Sequence, residues 1–376
     1  MKIALLGTRG IPASYSGFET CVEQMGQRLV QRGHHVAVYC RSHHIRHEEK
    51  TYKGCELIKL ATLQNKYLDT LVHTLFSSVH SLFRRFDIAL YFIAGNSPVT
   101  WIPRIVGTKT ILNVDGLDWK REKWPVLAKK YIQFAEYLAT VLPNSYLTDS
   151  IAVQEYYSVR FGDRPLYIPY GSEVEIVPSG ETLRSYGLEP RNYLLFVGRL
   201  VPENCAHHLV EAFREIDSEF KCVIVGDAPY AEEYKKWLRS LAEGDPRFVF
   251  PGYVFGKGYN ELSSHAYAFI ETSGVGGTHP ALLEAMAFGN CVIVNNTPEN
   301  LETMGDVGFA YNGKLGANSL REVLKELLAR KDLVEEGRAK AQLRARSIFS
   351  WETVVDSYEK LFYELLNQPL PDRLRS

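Results

Sequence analysis

Two rounds of β/α alternation, parted by one polar stretch rich in glycine and proline, predict an α/β protein of two doubly wound, Rossmann-like domains. In each round, short runs of Val, Ile, Leu and Phe read as strands buried on both faces, and segments with helical apolar spacing lie between many of them. The length of 376 residues also exceeds what one hydrophobic core comfortably organises.

The first round opens with a strand over 1–6 that runs into Gly7-Thr8-Arg9-Gly10. A helix over 19–29 follows, marked by Val22, Met25 and Leu29 and stopped at Gly33, and the second strand covers 35–40. This is the β-loop-α-β opening of a doubly wound sheet. Its glycines do not form G-x-G-x-x-G, so a dinucleotide fingerprint is not supported, yet the loop still brings backbone amides to the ligand-binding edge. Further strands are expected at 55–59, 88–93, 109–114, 139–143 and 166–169, with helices over 68–83 and 130–137. The stretch 173–192, punctuated by Pro178, Gly180, Gly187 and Pro190, reads as the boundary.

In the second round a strand over 193–197 leads into Gly198-Arg199-Leu200 and a helix over 205–216. A strand over 222–225 ends in Gly226-Asp227; a helix over 231–241 and a strand over 248–251 come next. After 269–296 come helices over 320–328 and 334–345. A last helix over 351–366 carries Val354, Val355, Tyr358, Leu361, Phe362 and Leu365 at helical spacing, beyond an already complete second domain. It is expected to return to the first. The division is thus 1–172, a linker over 173–192, 193–349, and 350–376 as crossover helix and tail.

An apolar share of 45% and a charged share of 23% are ordinary for a globular protein, and a net charge of −1 argues against a general nucleic-acid partner. The apolar run at the N-terminus is too short for a signal peptide and no stretch approaches a membrane span, which points to the cytoplasm. Six cysteines lie scattered with no CxxC, as expected for reduced, buried thiols.

The densest chemistry lies in FIETSGVGGTHPALLEAMAFGNCVIVNN, residues 269–296. It reads as strand, glycine turn, helix and strand. Gly274, Gly276 and Gly277 allow close approach of a ligand, Thr278 is placed to cap the helix, and Pro280 is tolerated in its first turn. Free amides and the positive end of the helix dipole would seat a phosphate, His279 could donate to a phosphate or sugar oxygen, and Glu284 stands one turn on, in reach of a hydroxyl. A structural β-α turn is the plainer alternative. Arg199, between a strand and a helix, suits a pyrophosphate through its bidentate fork, or is simply a surface arginine.

Asp115 follows a strand beside Gly116 and could hold sugar hydroxyls, whereas Asp118 serves equally as a helix cap. No D-x-D pair exists, so an acidic metal bridge to a diphosphate is not indicated. His43, His44 and His47 sit in a charged loop without metal-ligand spacing, and His207 and His208 read as structural. Trp119, Lys120, Arg121, Lys123 and Trp124 make a small basic-aromatic patch: a membrane or glycolipid contact, or a loop anchored by two buried tryptophans.

These motifs together resemble the GT-B glycosyltransferases of family 4, particularly a bacterial rhamnosyltransferase-like branch. GTRGIPASYSGFETCVEQM, NVDGLDWKREKW, IPYGS, VGRLVPEN and GGTHPALLEAMAFGNCVIVNNTPEN are similar to blocks of that branch in the same order, out to about Glu302. The resemblance implies two Rossmann-like domains facing a cleft, the first binding acceptor and the second a nucleotide-sugar, and a retaining transfer that needs neither metal nor cofactor. It implies that Gly17 faces the donor phosphates, that Asp115 lies near the transferred sugar, and that Arg199 neutralises the leaving diphosphate with the amides of Gly277 and Thr278. Tyr253 and Val254 would pack beside the base, and Glu284 would hold the ribose.

The chain departs from the pattern at three places. The family's glutamate, eight positions before the one matching Glu284, is here Gly276; the branch's Glu-Val-Gly-Gly-Thr reads Gly274-Val275-Gly276-Gly277-Thr278. The sugar-facing carboxylate is absent at both registers, and Glu271 is the nearby substitute. Asn204 stands where the family's lysine usually is, and Ser16 replaces a glycine. The expected function is a cytoplasmic hexosyltransferase, with peripheral contact to the inner face of a membrane left open. It would act on a glycan or lipid-linked acceptor, with dTDP-L-rhamnose as first donor. The competing classes are a nucleotide-sugar epimerase on the same fold and a binding or partner protein that has lost its chemistry.

Overall fold

A computed structural model describes residues 1–13, 17–65, 68–114, 116–120, 124–275 and 277–375. The chain divides into two compact units, Met1–Gly171 with Trp351–Ser376, and Ser172–Ser350.

The first unit is built on an eight-stranded sheet in the order β3-β4-β2-β1-β5-β6-β7-β8. Its strands are β1 (Lys2–Leu6), β2 (His35–Arg41), β3 (Thr51–Tyr52), β4 (Cys55–Leu60), β5 (Ile88–Phe92), β6 (Lys109–Asn113), β7 (Ser145–Thr148) and β8 (Leu166–Tyr167). All pairings are parallel except β3 with β4. Helices α1 (Gly17–Gln31), α2 (Asp69–Arg84), α3 (Val126–Ala139) and α4 (Ile151–Phe161) connect them, with 3-10 turns at Ala94–Val99 and Ile102–Val106. One core packs Leu6, Tyr39, Tyr91 and Leu112 against Tyr157.

The second unit holds a six-stranded, wholly parallel sheet in the order β11-β10-β9-β12-β13-β14. Its strands are β9 (Tyr193–Val197), β10 (Lys221–Val225), β11 (Phe248–Gly252), β12 (Ala268–Glu271), β13 (Cys291–Asn295) and β14 (Phe309–Tyr311). Around it run α5 (Glu181–Ser185), α6 (Ala206–Arg214), α7 (Glu232–Leu241), α8 (Gly256–His265), α9 (Pro280–Ala287), α10 (Pro298–Met304), α11 (Ala317–Ala329) and α12 (Lys331–Ile348). The chain runs from β9 outward to β11 and then returns to place β12 on the other flank of β9. The topological switch point, where such sheets bind ligands, therefore lies between β9 and β12.

The crossover helix is present as α13 (Trp351–Leu365) and packs on α1 of the first unit. Its docking is polar as well as apolar. Arg28 bonds Glu352 at 2.8 Å, Arg32 pairs with Asp356 at 2.7 Å, and both Arg32 and His34 reach the fully buried Glu359, at 2.9 and 2.7 Å. Burial raises the Glu359 pKa, but hydrogen bonds from His34 and Arg32 outweigh it and hold the carboxyl at about 2.

Two expectations change. No strand forms over 139–143: Ala139 ends α3, Thr140 keeps a helical conformation after it, and the strand begins at Ser145. An apolar run of that length has no periodicity to separate a helix end from a strand. The stretch 173–192, read as a linker, belongs to the second unit and carries α5. Glu261 on α8 anchors it by accepting the N–H groups of Gly180, Thr182 and Leu183 at 2.7, 3.2 and 2.9 Å.

Candidate active site in the second unit

At the carboxyl edge of the second sheet, four strand ends bring together most of the residues singled out above. β9 delivers Gly198 and an exposed Arg199. Beside it, β10 ends in Gly226, whose φ of +133° only glycine adopts readily; a Cβ there would fall on the carbonyl oxygen of Gly198. That close approach sets the height at which Arg199 leaves the sheet. Asn204 Nδ2 then donates to the Arg199 carbonyl at 2.9 Å, so the asparagine at the family's lysine position braces this turn.

The glycine turn after β12 is zipped to the same loop. Thr272 Oγ1 donates to the Asn204 carbonyl at 2.5 Å, and the Gly274 N–H donates to Glu203 O at 2.9 Å. From the other side, Asn295 and Asn300 donate to the carbonyls of Thr272 and Ser273 at 3.1 and 3.2 Å. A turn held at both flanks is preorganised for a ligand. Gly277 is buried, and Thr278 and His279 are half-buried. Gly276 lies outside the described residues.

The helix cap differs from expectation. His279, not Thr278, is the N-cap, in extended conformation (φ −92°, ψ 109°) and with no side-chain cap bond. Pro280 at the first helical position forces the residue before it out of the helical region. Leu282 and Leu283 both donate to the His279 carbonyl, at 3.0 and 3.3 Å. A phosphate at this helix end would therefore meet the loop amides rather than those two.

Glu284 sits one turn into α9, and Tyr259 on α8 donates its hydroxyl to Glu284 Oε2 at 2.5 Å. Burial raises the Glu284 pKa and the Tyr259 bond lowers it. Nothing in the sequence motif pointed to Tyr259; it reaches Glu284 from another helix. Beyond β11, the exposed Tyr253 stacks on Phe255 with centroids 5.6 Å apart and bonds the Asp227 carbonyl at 3.3 Å, with Val254 half-buried beside it. This is an open aromatic platform able to take a planar base.

Glu271 is placed differently from a ligand-facing acid. It is 3% exposed, and its Oε1 accepts the N–H of Ser273 at 3.0 Å, so it serves its own turn. Gly274, where the acid was expected, has ordinary φ, and a Cβ there would find its nearest neighbours at 3.6 Å. Room for a side chain exists and the chain leaves it empty.

The remaining residues, His207 and His208 apart, lie in the first unit. Gly17 opens α1. Asp115 lies outside the described residues, as do Ser16, Arg121 and Lys123; Asp118 begins a 3-10 turn, Asp118–Lys120. Trp119 packs near Tyr156, with centroids 6.3 Å apart, and Trp124 is half-buried. His207 and His208 bond Tyr234 and Tyr311, each at 3.0 Å. His43, His44 and Asp69 have ligand atoms within 4.8 Å of one another, although Asp69 already pairs with Arg41 at 2.8 Å.

Residues 181–344 match the family model "Glycosyl transferases group 1", a span that contains Arg199, the glycine turn and Glu284. This span is a glycosyltransferase group 1 domain. Residues 1–173 match a second model, "Domain of unknown function (DUF1972)". A search of curated protein sequences finds no match. Among solved structures, a sucrose-phosphate synthase (tll1590) from Thermosynechococcus elongatus is similar at 20% identity and a TM-score of 0.82, over 97% of this chain and 99% of that one. HepE (Alr3699) of Anabaena, described in complex with UDP, has 16% identity and a TM-score of 0.79 over 97% and 100%. A glycosyltransferase from Rickettsia africae has 15% identity and a TM-score of 0.75 over 98% and 99%. These likenesses show that the chain has the GT-B fold. Among its described residues no helix is long and apolar enough to cross a membrane.

Proposed function

We propose that this glycosyltransferase moves a sugar from a nucleotide-sugar donor, held at the carboxyl edge of β9 and β12, to a glycan or lipid-linked acceptor. The observation that carries the reading is the convergence, at one switch point, of Arg199, the braced glycine turn and the Tyr259-oriented Glu284. Complexes of the Anabaena HepE with UDP and with UDP-glucose support a nucleotide-sugar as the donor class. Arg199 and the loop amides of Gly277 and Thr278 would stabilise charge on the departing diphosphate, which does without a metal what a cation does elsewhere. Glu284 would accept the ribose hydroxyls, and the Tyr253 platform with Val254 would carry the base. Transfer with retention and dTDP-L-rhamnose as donor rest on the motif resemblance alone.

The test is a panel of nucleotide-sugars, dTDP-rhamnose and UDP-glucose among them, assayed for binding and for slow donor hydrolysis. The reading expects release of nucleotide with an otherwise unaltered sugar. An epimerised sugar would replace it with the epimerase reading. Binding without turnover would favour a protein that has lost its chemistry, a reading to which the empty position at Gly274 lends support. No binding at all would sink the assignment.

A further inference from the structure

Helix α2 is amphipathic in the wrong sense for a helix packed on a sheet. Its buried side is polar: His73, Thr74, Ser77, Ser78 and Ser81 face inward. The hydroxyls are satisfied locally, Thr74, Ser77 and Ser78 donating to the carbonyls one turn back at 2.7, 2.8 and 2.7 Å, and Ser78 also meeting Tyr91 Oη at 2.9 Å. Its apolar residues Leu75, Phe76, Val79 and Phe83 point outward, Phe83 being 81% exposed. Among the described residues they remain largely exposed apolar side chains.

The neighbouring elements continue the surface. The 3-10 turns Ala94–Val99 and Ile102–Val106 pack on α2, and the first of them packs also on α3. The second exposes Ile105 and Val106 beside Trp101; α3 exposes Val126, Leu127, Phe134 and Tyr137. An open groove of about 170 Å³ runs between α2, the 94–99 turn and α3, lined by Leu71, Val72, Leu75, Pro98, Val99 and Tyr131. A contiguous apolar face of this kind marks an interaction surface.

Charge selects the occupant. The only carboxylates on these elements are withdrawn: Asp69 is paired with Arg41, and Glu136 is buried against the Tyr156 hydroxyl. Arg84 at the end of α2 is paired with Glu56 at 2.8 Å, and the other exposed charges here are basic, namely Arg85 just beyond α2, Arg104, and Lys130 on α3. A two-fold contact between copies would set this basic rim against itself. Apolar and aromatic side chains ringed by Lys and Arg match instead the interface of a bilayer carrying negative lipids. We propose that the outer face of α2, the Ile102–Val106 turn and α3 docks on an anionic membrane surface.

Flotation of the full chain with vesicles tests this, comparing phosphatidylcholine alone with an equal mixture of phosphatidylcholine and phosphatidylglycerol. The protein is expected to float with the anionic vesicles at least about tenfold more than with the neutral ones, and less as salt rises. The pair Phe76→Ser and Phe83→Ser should cut flotation about tenfold with unchanged circular dichroism and melting temperature. Arg104→Glu with Lys130→Glu should do the same without touching an apolar contact. Failure of the wild type to float with anionic vesicles, or full flotation of either variant, overturns the proposal. So does a wild-type dimer in light scattering that the phenylalanine pair dissociates. None of these readouts depends on sugar chemistry, so they stand apart from the donor assay.

Discussion

Tyr259 on α8 and Glu284 on α9 share a hydrogen bond of 2.5 Å, hydroxyl to carboxylate, although 25 residues separate them. The bond fixes one carboxylate oxygen and leaves the other for a ligand. Glu284→Ala is expected to weaken donor binding about tenfold or more, about 1.4 kcal/mol, measured by calorimetry with the nucleotide diphosphate. An unchanged affinity would remove Glu284 from the ribose site.

Tyr259→Phe separates orientation from contact. Burial already raises the Glu284 pKa, and the tyrosine bond opposes that rise. Removing the hydroxyl should raise the pKa further, so that, as pH falls, donor affinity begins to drop at a higher pH than in the wild type. A pH-affinity profile that superimposes on the wild type would leave the bond a purely structural one.

Arg199 is exposed and Asn204 braces its turn. Arg199→Ala should lower the donor turnover rate by about a hundredfold, while a smaller change falls on binding, because the charge it meets develops as the diphosphate leaves. Equal loss in KM alone would assign it to ground-state binding.

Gly226→Ala would set a methyl against the Gly198 carbonyl and strain a φ of +133°. A loss of about 3 kcal/mol in chemical denaturation is expected. Gly274→Glu, by contrast, should leave stability within about 0.5 kcal/mol, since its surroundings admit a side chain. That variant places the absent acid in the turn, and donor turnover should rise; a fall would show that the turn works through its glycine.

Glu359 is held at about 2 by His34 and Arg32, below its ordinary value of 4.5. A depressed carboxylate stabilises the folded state fully above its unfolded pKa and loses that contribution as pH falls from about 4.5 to 2. Glu359→Gln should cost about 3 kcal/mol at neutral pH, because it removes the buried carboxylate that Arg32 and His34 share. Denaturation at pH 7 and pH 3 should show a flatter acid slope in the variant.

Many of the strands were legible in the sequence because parallel strands buried on both faces are continuous apolar runs, as 193–197 is. The glycine turn, Arg199 and Glu284 were legible for a related reason: a ligand edge needs glycine, arginine and a carboxylate at short, local spacings. Less was legible where an element's identity depended on what lay beside it. The run through Ala139 to Leu142 reads as a strand, but α3 ends within it and the strand starts only at Ser145, while 173–192 reads as a tether although Glu261 holds it in the second unit.

The sequence by itself determined two β/α arrays, most of their strands and the placing of Arg199, the glycine turn and Glu284 after strands of the second. All of these follow from periodicity and turn chemistry within a few residues. Only the tertiary structure decided that Glu271 turns back on its own loop, that Tyr259 orients Glu284, that His279 takes the cap from Thr278, and that α2 shows its apolar side outward. Each depends on which groups meet once the elements are packed, as Tyr259 meets Glu284 from another helix. Spacing along the chain carries no record of that packing.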